Sequence, residues 1–390
     1  MRYEFKKLFS SKLMLIMLAL TLGYMVFLPV REVWGQVSEL RQRCEAYEEV
    51  IDSAKREGKS YAELYEYSSS VLDENAARDV GSILNAAGLL QYVTNGFRSD
   101  RTTLVRGMIY QNVAERAKSS PDSYLIRANE KAIAQYNRRT DLEFESMGIN
   151  SSTYYSVFNY SMWEYVMLAL CVMMTVRLFT LEHTSGAYRL VNTSRRTERS
   201  LFFRKYAAAV SVAAAVLLIQ AVFEIGFGMY VFGAKNFSLP IQQIAEFEYC
   251  PYAISIAGFY LLKYFVRLIC YTAVISVTAL TAVLIKRPLI VNITALVISA
   301  GGLAANMALY ITIDKSEKLR PELVSVYDRL RIFLPQSLLN IREYLKKFDC
   351  FSLFGYPCAR IVFCGVLAVM ISAGCAFLGY KLSGRIRRAV

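Results

Sequence analysis

The sequence predicts an all-α, polytopic membrane protein with six transmembrane helices, a large helical extracytoplasmic domain after the first span and an amphipathic insert before the sixth. Three observations carry this. Six mostly apolar runs lie at residues 13–30, 160–181, 206–232, 259–285, 289–313 and 361–380, and a helix needs roughly 17 to 25 such residues to cross a hydrocarbon core about 30 Å thick. Residues 1–12, 182–205, 286–287 and 381–390 together carry +13, the net charge of the whole chain. These basic segments alternate with pairs of apolar runs, as the positive-inside rule requires when both termini and two loops face the cytoplasm. Finally, alternation of the strand type is scarce, whereas apolar residues at three- to four-residue spacing are common.

Residues 1–30 read as a basic, amphipathic start (Phe5, Leu8 and Phe9 beside Lys6 and Lys7) leading into the first span. No small-residue cleavage site follows that span, and Pro29, Arg31, Glu32 and Trp34 suit the interfacial end of a retained helix better than a signal peptide. Residues 31–158 are too long for a turn. Val37, Leu40, Cys44, Tyr47 and Ile51 mark one helical face, while Gly58, Gly81, Gly96, Pro121 and Gly148 divide the segment into several helices.

The second span covers 159–181, a cytoplasmic segment 182–205, spans three to five 206–313, and an extracytoplasmic amphipathic segment 314–360. In the last, Leu330, Ile332, Phe333, Leu338, Leu339, Ile341 and Tyr344 mix with Arg329, Arg331 and Arg342. Such a stretch lies in the interface or dips into the membrane, broken at Pro335, or else it packs as an outer cap. Residues 361–390 form the sixth span and a basic tail. The arrangement is that of a multi-pass plasma-membrane protein of bacterial type with both termini cytoplasmic. The basicity reports this topology, membrane lipid is the expected surrounding partner, and nucleic acid is not needed as one.

Soluble chemistry finds little support. The single histidine, His183, and the absence of a CxxC pair argue against a metal site. Cys350 and Cys358 lie close enough in sequence to raise a disulfide as one option. The run Ser53 to Ser60 ends like a P-loop, but Ser53 stands where the first glycine belongs, and the segment falls on the wrong side of the membrane. No GxSxG or HExxH occurs, so no catalytic residue and no cofactor is expected in this chain.

Charges inside the spans are costly and need a reason. Glu164, Glu224, Lys263 and Arg267 are the candidates, and Lys263 and Arg267 share one helix face at a spacing of four. They form either an interhelical ion-pair cluster or part of a translocation path.

The segment after the second span is the most telling. Glu182 ends that span, Gly186, Tyr188, Arg189 and Leu190 suggest a short helix, Arg195, Arg196 and Arg199 follow a polar turn, and Lys205 stands at the mouth of the third span. This order resembles the permease subunits of type-2 ABC exporters, which have an acid, a glycine, a hydrophobic residue, a Ser/Thr-Arg stretch and a lysine at comparable places. The resemblance implies that the short helix docks on a separate ATPase subunit, which alone would bind Mg-ATP. It also implies that two permeases, identical or homologous, pair as a dimer and move a peptide, antimicrobial or lipid-like substrate outward. Two other readings fit the spans: a membrane-anchored receptor, and an ion-coupled secondary transporter using Glu164 and Glu224.

Overall fold

The computed structural model describes residues 2–33, 161–184, 198–232, 252–285, 287–319, 335–345 and 350–383, apart from single positions within them, together with isolated positions among 56–63, 127–134 and 237–250. Its helices are α1 (Arg2–Phe9), α2 (Lys12–Val33), α3 (Ser161–Thr184), α4 (Glu198–Phe232), α5 (Ile256–Ile285) and α6 (Pro288–Leu319), then a 3-10 turn at Pro335–Asn340, α7 (Ile341–Leu345) and α8 (Arg360–Ser383). All six apolar runs fall on helices. Four of these, α3, α4, α5 and α8, contain stretches long and apolar enough to cross a bilayer, at Trp163–Glu182, Ser200–Tyr230, Ile256–Ile285 and Arg360–Ser383. The chain is a multi-pass membrane protein. Helices α1 and α2 meet the same criterion only as a pair bent by 80°, and α6 contributes the shorter apolar stretch Pro288–Gly302.

Helix α5 is the centre of the bundle and packs on α3, α4, α6 and α8. Its inward faces bury Tyr271, Ile275 and Ala279, while Leu261 and Phe265 point outward. Exposed Leu218 and Val222 on α4 and Val362 and Val366 on α8 complete an apolar exterior suited to lipid rather than water. Within such a medium hydroxyl groups must find partners on the chain. Thr175, Thr180, Thr272, Ser276 and Thr278 each donate to the carbonyl one turn back, at 2.7–2.8 Å, and Tyr206 Oη lies 2.9 Å from Ser276 Oγ across the α4–α5 contact.

The segment before α8 is wedged into the bundle. Pro335, well suited to a first helical position, opens the 3-10 turn, and Ser337, Leu338, Leu339, Ile341, Tyr344 and Leu345 are buried. The turn packs on α5, α6 and α8. The Gln336 amide occupies the space beside Gly302 of α6, where a Cβ would lie 2.7 Å from it. Tyr344 Oη donates to Ser337 Oγ at 2.7 Å and ties the turn to α7. Irregular backbone at this depth is tolerated because protein surrounds it.

One element departs from the all-helical expectation. Strands β1 (Cys350–Leu353) and β2 (Tyr356–Ala359) form an antiparallel hairpin. Its turn residues Phe354 and Gly355 both have positive φ, 50° and 82°, which matches the twist of a two-residue hairpin loop. The register pairs Cys350 with Ala359 and Phe351 with Cys358. Cys350 and Cys358 therefore project from opposite faces of the hairpin, which rules out a disulfide between them. Lys131 Nζ donates to the Pro357 carbonyl at 2.9 Å and Arg127 lies over the Tyr356 ring at 4.9 Å, so part of segment 31–158 meets this hairpin. Apart from isolated positions at 56–63 and 127–134 and the end of α2, the helical domain expected there lies outside the described residues.

Candidate functional site

Among the described residues two buried ion clusters join the helices, and Glu182, Lys205, Glu164, Glu224, Lys263 and Arg267, singled out in the sequence, fall into one or the other. The first forms where α3 ends. Glu182 Oε1 accepts from Lys7 Nζ at 2.5 Å, and Oε2 accepts from Lys205 Nζ at 2.7 Å. Lys7 also pairs with Glu4 at 3.3 Å, one turn earlier on α1. The Lys7 carbonyl in turn accepts from Arg177 Nε at 3.3 Å. Glu4, Lys7, Glu182 and Lys205 are all buried. One carboxylate thus fastens α1, α3 and α4 at a single point.

Burial acts to lower the Lys7 pKa, but the hydrogen bond and charge of Glu182, aided by Glu4, outweigh it and hold the ammonium above its ordinary value. Aromatic packing supports the same layer: Lys205 Nζ sits 5.7 Å from the Phe179 ring centre, Phe179 meets Phe202 edge-on at 5.2 Å, and Phe202 stacks on Tyr206 at 6.3 Å. Gly379 of α8 closes the layer, since a Cβ there would come within 2.7 Å of the Phe202 ring.

Glu182 and Lys205 flank a loop in sequence, and the fold makes them partners inside the chain. Their side chains face inward. Neither side chain is exposed to meet a second protein, so the expected contact falls to the segment between them. Of that segment, Gly186, Tyr188, Arg189, Leu190, Arg195 and Arg196 lie outside the described residues, and Arg199 falls in the first turn of α4. Sequence reasoning missed Lys7 and Glu4 as members. The available signal was an acid and a base at i,i+3 on a short amphipathic helix, where the lysine was counted only toward the positive-inside pattern.

The second cluster lies within the spans and unites the four intramembrane charges. Arg267 of α5 pairs with Glu164 of α3 and, at 3.7 Å, with Glu224 of α4. Lys263 Nζ lies 3.0 Å from the other Glu224 oxygen. Gln220 donates to Glu224 at 2.7 Å and Tyr271 donates to Glu164. The Trp163 ring covers the Arg267 guanidinium at 5.4 Å. Trp163, Gln220 and Tyr271 were not singled out from sequence, yet Gln220 precedes Glu224 by four and Tyr271 follows Arg267 by four, so helical spacing pointed to both. Two acids balance two bases, and every member is buried, which is the interhelical ion-pair arrangement.

Among the described residues, no three His, Cys, Asp or Glu side chains converge as metal ligands. Comparison with protein-family profiles, curated proteins and solved structures returns no match. The functional reading rests on the residues themselves.

Proposed function

We propose that this chain is the transmembrane permease subunit of an ATP-driven exporter. In this reading it has six spans, both termini are cytoplasmic and 31–158 is an outward-facing domain. A separate ATPase binds Mg-ATP and docks on the segment from Gly186 to Arg199. Two permeases, identical or homologous, face each other, and a peptide, antimicrobial or lipid-like substrate moves outward. The observation that carries the proposal is the clasp at Glu182. An exporter without its own nucleotide site must receive work through a contact that biases two conformations of its spans. A segment of 13 residues mounted between Thr184 and Glu198 can do this only if its ends are fixed to helices. Glu182 and Lys205 supply that mount, and Lys7 extends it to α1.

The internal pairing of Glu164, Glu224, Lys263 and Arg267 favours this over an ion-coupled transporter, whose carboxylates must exchange protein partners for the coupling ion. The test is affinity purification of the detergent-solubilised full chain followed by mass spectrometry. A stoichiometric P-loop ATPase, lost on Gly186→Leu or Leu190→Asp while the chain stays folded, is the expected result. Recovery of the chain with no ATPase returns the assignment to a receptor or anchor.

A further inference from the structure

A cavity of about 230 Å³ lies inside the bundle where α3, α5, α6, α8 and the 3-10 turn meet, and no residue of either ion cluster lines it. Most of its wall is hydrocarbon, from Leu168 of α3, Val274 and Val277 of α5, Leu339 of the turn and Ile371 of α8. One side is polar, where Ser299 of α6 and Gln336 of the turn line it. These two lie together, because the Gln336 amide sits against Gly302, which shares a helix face with Ser299 one turn away.

Ser299 is 1 % exposed, yet among the described residues no hydrogen bond reaches its hydroxyl or the Gln336 amide. It departs from the rule followed by Thr175, Thr180, Thr272, Ser276 and Thr278, each of which donates to the carbonyl one turn back. A buried hydroxyl or amide without a partner costs stability, and the hydrocarbon around the bundle supplies none. A single water could serve both groups, but further waters would each need about two to four polar partners, and the rest of the wall offers only carbon and the Cys270 sulfur.

The occupant that suits both halves of the wall has one polar end and a short apolar body. Since a cavity of about 150 Å³ holds benzene, this one has room for about nine non-hydrogen atoms. The polar end is uncharged, because no charged side chain lines the cavity and an unpaired ion is too costly to bury. It both donates and accepts, as a hydroxyl does, because Ser299 and Gln336 can each do both. Ile298 edges the cavity and is exposed on the outside of α6, which gives a way in from the apolar surroundings.

We infer that this cavity binds a small uncharged alcohol with an apolar body of about eight carbons, its hydroxyl bonded to Ser299 and Gln336. Such a site is too small for a peptide or a membrane lipid. It is separate from the ATPase contact and does not depend on the exporter assignment.

The test is photolabelling of the full chain, reconstituted in bilayer nanodiscs, with octanol carrying a diazirine in its chain, and mapping of the adducts by mass spectrometry. The expected adducts saturate, are displaced by unlabelled octanol, and are concentrated several-fold at Val274, Val277 and Leu339 over exposed Leu218 and Val222 of α4. Ser299→Ala and Gln336→Leu should each raise the half-saturating concentration by about 2- to 10-fold, the worth of one hydrogen bond, without lowering the unfolding temperature. Ala273→Leu narrows the cavity and should abolish the excess labelling; where that chain fails to fold, the two polar substitutions decide the matter. Equal labelling by the matching diazirine hydrocarbon, or indifference to both Ser299→Ala and Gln336→Leu, would reveal an apolar void without recognition and overturn the proposal. Adducts spread evenly over the exposed apolar faces, or none in the cavity, would overturn it equally.

Discussion

The two ion clusters use the same chemistry at different places in the bundle. At the end of α3, Glu182 accepts from two lysines on two other helices, one of them 175 positions earlier in the chain. Inside the spans, Glu164 and Glu224 share Arg267, Lys263 and Tyr271 take up the two remaining carboxylate oxygens, and Gln220 donates to the Glu224 oxygen that faces Arg267. The first cluster sits where helices meet a loop, so under the proposed function it fixes the place at which an outside force would enter. The second sits where water is scarce, so it fixes how α3, α4 and α5 register against one another. Placement, rather than the kinds of residue involved, separates a mount for a moving part from an internal brace.

The comparison is most easily broken at Arg267. Arg267→Met leaves Glu164 buried without its cation, and removing one partner of a buried pair costs about 3–5 kcal/mol. Thermal unfolding in detergent should show the largest loss of any single change described here. Adding Glu164→Gln should recover part of it, since a neutral amide is far less costly to bury than a carboxylate. Next in size is Glu182→Gln, which removes the one carboxylate shared by Lys7 and Lys205. It should cost about 2–3 kcal/mol, as expected for hydrogen bonds to charged groups, with Glu4 retaining a hold on Lys7. If the two substitutions cost the same, the distinction between brace and mount loses its energetic basis.

Gly379→Leu sharpens the picture from the neighbouring helix. Any side chain there must displace the Phe202 ring, so the layer beneath Lys205 should loosen at a cost of about 1–3 kcal/mol, read from the same unfolding curve. Smallest is Lys7→Met, which leaves the Lys205 pair intact. Its effect is also pH-dependent. Because the folded Lys7 pKa is raised, its contribution is present in full below the unfolded lysine value of about 10.4 and is lost only as pH rises through the higher folded value. The stability difference between wild type and Lys7→Met should therefore stay constant through neutral pH and shrink only in strong alkali.

Helix positions were legible because a 20-residue apolar run has few alternatives in a membrane, and all six runs lie on helices. The intramembrane charges were legible for a related reason: charge in a span is costly, so Glu164, Glu224, Lys263 and Arg267 read as an ion-pair cluster or part of a translocation path, and the fold pairs them. The clasp was half legible. Glu182 and Lys205 stood out as loop flanks, but their mutual contact depends on how α3 and α4 lie side by side, which no local pattern encodes. Lys7 was hidden because a basic N-terminus already satisfies the positive-inside rule and invites no further explanation. The hairpin at Cys350–Leu353 and Tyr356–Ala359 was hidden by its shortness, since four residues carry too little alternation to be read as strands. The wedge of Pro335–Asn340 among α5, α6 and α8 was hidden because its contacts, such as Gln336 against Gly302, join positions far apart in the chain.

The central claim is that the segment held by Glu182 and Lys205 receives work from an ATPase. It is tested most directly by ATP hydrolysis in the material that co-purifies with the full chain, measured for wild type and for Leu190→Asp. The account predicts turnover with the wild-type chain and its loss in the variant, with the variant unfolding at the wild-type temperature because residue 190 lies outside the clasp. Absence of turnover with the wild-type chain, or turnover that Leu190→Asp leaves unchanged, would contradict it.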